Sequence, residues 1–291
     1  MLRWVSLTAA LLVVIMLWPT KSLAQPKWQR SDPEIELGLQ VFHSTKVLGL
    51  PTAAMLKTGD IEFEISHRFV PPITDGYDVL YGFDGPARMR LALGHAINDA
   101  WMITLGRSSI DANTDLCIKH SLLQSKESAM SYMAAVQAGV AWNPVETSRR
   151  DHRDSVIIRP KSHSRHFQSF GQLIIDLQPH PRLAVGLVPS FLYNRDISAR
   201  DIENTFTLGT HGQWFVRSHL SFVGEYSFVL SNKSNSHNPV ALGLELETGA
   251  HIFELFITNQ VRINPSQYLA GAEFPFDADN LRIGFLINRI L

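Results

Sequence analysis

From Ile61 to the C-terminus the chain alternates between apolar and polar positions. Ile61, Phe63, Ile65 and Phe69 fall on one face, and Glu62, Glu64, Ser66 and Arg68 on the other. A period of two is that of a strand whose faces meet different media. The pattern is sharpest at 243–260, where Leu244 and Leu246 alternate with Glu245 and Glu247. After the Thr248-Gly249 turn, Phe253 and Leu255 alternate with Ile252, Glu254 and Phe256. Two such arms around a glycine-bearing turn predict a β-hairpin.

Counted to the end, the alternation predicts about twelve strands. Their lengths suit the roughly 9–11 residues that a tilted strand needs to cross a bilayer. Tight turns (Asn98-Asp99, Ser125-Lys126-Glu127, the stretch 178–181, Arg217-Ser218 and Thr248-Gly249) take turns with longer polar connections such as 70–86, 143–166 and 263–280. Short turns on one rim and long loops on the other mark a transmembrane barrel, and Greek-key sandwiches have no reason to show this. The expected fold is all-β, an antiparallel up-and-down transmembrane β-barrel over residues 60–291, with both ends on the periplasmic side. Trp101, Trp142, Tyr193, Trp214, Tyr226 and Phe228, near strand ends, suit interfacial girdles.

Residues 1–24 read as a signal peptide. Arg3 precedes an apolar run at 5–18, and Ser22-Leu23-Ala24 is a small-x-small site that predicts cleavage after Ala24. Residues 25–59 do not join the alternation, and form a periplasmic or plug-like segment that covers the barrel mouth or enters it. The net charge of −1 argues against a nucleic-acid binder, and the single Cys117 excludes an intramolecular disulfide.

Lipid tolerates no unpaired backbone, so an exported sheet with one greasy face must close, and its charged face must turn inward. The lumen-facing charges expected are Glu62, Glu64, Arg68, Arg88, Arg90, Asp115, Lys119, Asp176, Glu225, Glu245, Glu247, Glu254 and Arg282. Ile174, Val188, Leu192, Ile252, Phe256 and Leu286 point the same way. Glu62 and Glu64 are expected to face Arg88 and Arg90, and Glu254 to face Arg282. Bulky apolar residues mixed with ion pairs imply a packed or narrow interior. The charges then either brace the barrel or line a small, weakly cation-favouring conduit.

Two clusters carry candidate chemistry. His219, Ser221 and Glu225 share a face and hold the components of an esterase or lipid deacylase, but an inward site is poorly placed for lipid. His152, His163 and His166, with Asp151 and Asp154, could gather a metal on the long loop, although an Arg-rich loop is more simply solvated. No phosphate loop, haem motif or calcium loop is present, so no cofactor is expected. The leading function is a non-enzymatic barrel, either a narrow pore for small solutes or a structural or docking component. The alternatives are the esterase and a soluble periplasmic β-protein.

The strings FHSTKVLGLPTAAML (42–56), IEFEISHRF (61–69), GRSS (106–109) and ETGAHIFELFITN (247–259) resemble a family of bacterial outer-membrane β-barrels known only as a domain of unknown function. The resemblance spans the mature chain. It implies a barrel in the outer membrane, with the bilayer, its lipopolysaccharide and the outer-membrane assembly machinery as partners. It carries over no catalytic residue. Two features depart from expectation, namely the terminal Leu291, where barrels favour an aromatic residue, and the basic character of 143–166.

Overall fold

Main-chain donors and acceptors at membrane depth need partners, and this chain supplies them between strands. The computed structural model describes residues 41–126, 130–150, 156–199, 201–231 and 236–291. Residues 1–40, which include the expected signal peptide at 1–24, lie outside the described residues. Strands β1 (Lys46–Val47) and β2 (Leu50–Pro51) form a small hairpin. They are followed by β3 (Ile61–Phe69), β4 (Ala87–Asn98), β5 (Trp101–Ser108), β6 (Thr114–Lys126) and β7 (Ser131–Trp142). The long loop carries a hairpin of its own, β8 (Thr147–Arg150) and β9 (Val156–Arg159). Then come β10 (Phe167–His180), β11 (Leu183–Tyr193), β12 (Thr205–Arg217), β13 (Leu220–Val229), β14 (Val240–Glu247), β15 (His251–Thr258) and β16 (Arg282–Ile290).

Among the described residues, the strands β3–β7 and β10–β16 make a closed barrel in which sequence neighbours pair antiparallel. The seam joins β16 to β3, with Ile287 opposite Ile65 and Ile290 opposite Glu62. The fold is thus the twelve-stranded antiparallel barrel that the alternation predicts. One rim carries the tight turns and the C-terminus, and the other carries the long connections.

Burial follows the period of two. In β3 the even positions are buried, and Phe63, Ile65 and Phe69 are partly exposed. Leu93, Leu105, Leu242 and Leu255 each expose half or more of their surface on the outside, as side chains bathed in lipid should. The expected girdle aromatics are set near the two rims. Trp101 stacks on His120, and Tyr226 meets Phe228 edge-on. Leu244 and Leu255 sit opposite one another in β14 and β15.

Leu255 is 52% exposed and lies centrally in its strand. Leu255→Arg would place a charge within the hydrocarbon. We expect it to destabilise the barrel by about 2–4 kcal/mol, and Leu255→Phe to be near neutral. Urea unfolding from phospholipid vesicles checks this.

Candidate functional site

The interior holds chain rather than open space. Residues 41–56 mix polar and apolar positions without alternation, and they occupy the lumen as the β1–β2 hairpin and its flanks. Val41, Phe42, Val47, Leu48 and Ala53 share one buried cluster with Ile174, Val188, Val223, Phe256 and Leu286 of the surrounding strands. Each large apolar side chain buried this way contributes about 1.5–3 kcal/mol. The segment leaves at the turn rim, where the Thr58 amide and hydroxyl donate to the Asp99 carboxylate. Those hydrogen bonds hold the Asp99 pKa below its usual value.

A two-residue ladder cannot satisfy a hairpin's own backbone, and the barrel wall supplies the missing acceptors. Glu225 Oε2 accepts from the amides of Gly49 (2.8 Å) and Leu50 (2.9 Å). Glu254 Oε2 accepts from Leu48 N at 3.1 Å, and Asp176 Oδ2 from Ala53 N at 2.6 Å. The opposite wall supplies donors. Lys119 Nζ donates to the carbonyls of Thr45 (3.2 Å), Thr52 (3.0 Å) and Ala54 (3.0 Å).

Side chains add further ties. Lys46 Nζ lies 2.7 Å from Glu64, His43 Nδ1 lies 2.7 Å from Glu245, and the Thr45 hydroxyl donates to Glu62. Asn288 Nδ2 donates to Ser44 Oγ at 2.9 Å. Charge-assisted bonds of this kind are the strong ones, and a buried amide left without its acceptor costs about 1–3 kcal/mol. Gly49 permits the close approach. A Cβ there would stand 3.0 Å from Glu225 Oε1 and 3.2 Å from Arg68 Nη2.

The loop rim closes differently. The connection between β15 and β16 turns inward, and its one-turn helix Pro265–Tyr268 is buried. Arg68 Nη1 donates to Arg262 O at 2.8 Å, and Arg90 Nη1 to Asn264 Oδ1 at 2.5 Å. Gln172 Nε2 donates to the Tyr268 hydroxyl at 3.2 Å. Burial in this loop pushes the Tyr268 pKa up, so the hydroxyl stays protonated. Hairpin and loop meet where Leu50 packs with Tyr268, Leu269, Phe170 and Leu192. A cavity of about 50 Å³ remains beside Lys46, Glu62, Glu64, Arg90, Lys119 and Tyr268. That is room for water, too small for an organic solute.

Glu62, Glu64, Arg68, Arg90, Asp115, Lys119, Asp176, Glu225, Glu245, Glu254 and Arg282 are all buried on the inner side. Two further positions differ from expectation. Arg88 is exposed and Glu247 only half-buried, because both stand at strand ends, beyond the packed lumen. The expected pairings also need correction. Glu64 meets Arg90 at 3.3 Å, but Arg88 lies opposite Arg68, and Glu62 opposite Gly94. Glu254 lies opposite Leu286, and Arg282 opposite Thr258, so the two are four residues apart along the β15–β16 pair. Arg282 instead donates to Val70 O and covers the Phe274 ring.

Nor do His219, Ser221 and Glu225 form a triad. Ser221 Oγ accepts from Gln213 Nε2 at 3.1 Å, Glu225 is engaged by the hairpin, and no hydrogen bond joins His219 to Ser221 among the described residues. Of the proposed metal cluster, Asp151, His152 and Asp154 lie outside the described residues. The His163 Nδ1 accepts from Arg165 N, and His166 is fully buried. Sequence reasoning missed His43, Lys46, His211 and Gln213. The last two share the inward parity of β12, and that signal could have found them. His211 Nε2 lies 3.1 Å from Asp176.

A family model described as a membrane-bound beta barrel domain matches residues 42–291. No curated protein matches the chain by sequence. Solved structures similar to it include the NanC porin, at 7% identity with a TM-score of 0.43, covering 80% of this chain and 98% of that one. The KdgM porin in complex with disordered oligogalacturonate gives 9%, a TM-score of 0.45, and coverage of 79% and 98%. An outer membrane channel from Pseudomonas putida F1 gives 12%, a TM-score of 0.43, and coverage of 82% and 97%.

Glu225→Ala removes the acceptor of two buried hairpin amides. We expect it to loosen the hairpin while the barrel stays closed. Lys46, shielded in the wild type, should then be cut by trypsin in detergent-solubilised protein. An unchanged digestion pattern would show that Glu225 does not hold the hairpin.

Proposed function

We propose that this chain, which belongs to the family of membrane-bound β-barrel domains, is a non-enzymatic conduit for small solutes closed by its own residues 41–56. It is an outer-membrane β-barrel, embedded in the bilayer. In this reading the outer-membrane assembly machinery inserts it after removal of residues 1–24, and the turn rim with the hairpin's exit faces the periplasm.

One observation carries the reading. The hairpin is fastened to charged groups of the wall, through Glu225, Glu254, Asp176 and Lys119. Withdrawing it would leave a polar passage, because those groups line the inner face. A barrel built only for rigidity needs no removable filling, and side chains alone fill barrels of modest size. The second reading, a permanently braced docking barrel, draws on the buried Arg90–Asp115 pair next to Glu64. The esterase reading has no such support, since Ser221 is committed to Gln213. Ser221→Ala is expected to leave lipase assays unchanged.

Planar-bilayer recording separates the two main readings. Wild-type protein should give rare or no steps. Gly49→Phe, which cannot fit between Glu225 and Arg68, should give frequent steps. Added to Gly49→Phe, the pair Ser44→Cys with Asn288→Cys, once oxidised, should abolish those openings and recover them on reduction. A folded Gly49→Phe barrel that never conducts would leave the braced docking barrel.

A further inference from the structure

We propose that the wall beneath the hairpin is a binding site for small organic cations rich in N–H donors, a class that includes polyamines. The inference rests on the conduit reading and names its solute.

The site is built from Asp176 on β10, Glu225 on β13, Glu245 on β14 and Glu254 on β15, each buried. Glu245 and Glu254 stand directly opposite one another, a pairing that like charges disfavour. Among the bases of the wall, His211 lies 3.1 Å from Asp176, the Arg68 guanidinium borders the Gly49–Glu225 contact, and Lys119 interacts electrostatically with Asp176. The present occupant shows what the wall accepts. It offers successive N–H donors at Leu48, Gly49 and Leu50, then Ala53, with the imidazole of His43 on Glu245.

A second observation points to a ligand with more donors than the hairpin has. Glu245 Oε2 and Glu254 Oε1 are buried, and neither has a hydrogen-bond partner among the described residues. The side chains are 1% and 2% exposed. Unpaired carboxylate oxygens on directly opposed residues favour a cation with several N–H groups, which can bridge them. The hairpin therefore acts as a resident competitor, holding some of these acceptors and leaving others to a better ligand.

The test uses the full-length chain with the hairpin displaced in two ways. Gly49→Phe does so by volume, and Leu48→Asp by placing a carboxylate against Glu254. Retained heat-modifiable gel mobility identifies folded barrels. Spermidine binding is read by titration calorimetry in detergent, and ion selectivity by the reversal potential in a KCl gradient. We expect both displaced variants to bind spermidine and to favour K⁺, and the wild type to bind it at least about tenfold more weakly. Adding Glu225→Gln and Glu254→Gln should weaken binding by about tenfold or more.

Binding without channel steps would overturn the conduit and keep the cation site. Steps with Cl⁻ preference, or a folded displaced variant that fails to bind spermidine, would overturn the cation site and keep the conduit. Equal binding after loss of both glutamates would place the site elsewhere and overturn the proposal.

Discussion

Every main-chain N–H at membrane depth must find an acceptor, and this one requirement shapes both the barrel and its contents. In the wall it is met between strands, and the β16–β3 seam removes the last open edge. In the lumen it is met by carboxylates. Residues 48–53 lack a ladder long enough to pair with, and the inner faces of β10, β13 and β15 provide acceptors at the matching places. The same glutamates would be a liability in a dry interior without those donors. Hairpin and wall compensate each other, so neither is well satisfied alone.

The remainder of the lumen follows from that arrangement. Lys119 reverses the polarity on the opposite wall and takes the hairpin's carbonyls. Arg68 and Arg90 reach toward the loop rim and hold the inward-turning connection at Arg262 and Asn264. The two fillings touch through an apolar contact at Leu50 and Leu269. An apolar joint between two polar-anchored pieces can part without stranding buried donors. A barrel that is closed at rest and able to open needs such a joint.

Much of this was legible in the sequence, and the limits were physical. Alternation specifies strand parity, so the inward side of Glu62, Glu64, Asp176 or Glu254 follows directly from an intact period of two. Register is another matter. Pairing Glu254 with Arg282 requires knowing how β15 and β16 slide, and the connection between them, 259–281, is too long to set their register. The observed register sets the two four residues apart, roughly 13 Å along a strand. Ends were also opaque. Arg88 and Glu247 have inward parity, yet they stand where the packed lumen gives way to solvent. Residues 41–56 gave no periodic signal because their partners surround them on all sides. A segment of that kind has neither a greasy face nor a wet one. The anchors His43 and Lys46 could not be singled out without the wall.

Residues 48–53 sit inside the barrel, bonded to its carboxylates. Amide hydrogen exchange of the full chain in lipid bilayers measures this most directly. The amides of Leu48, Gly49, Leu50 and Ala53 should exchange as slowly as those of the barrel strands, since each donates to a buried carboxylate away from water. Rapid exchange at these four positions, with the strands still protected, would mean that the segment is not bonded inside the lumen.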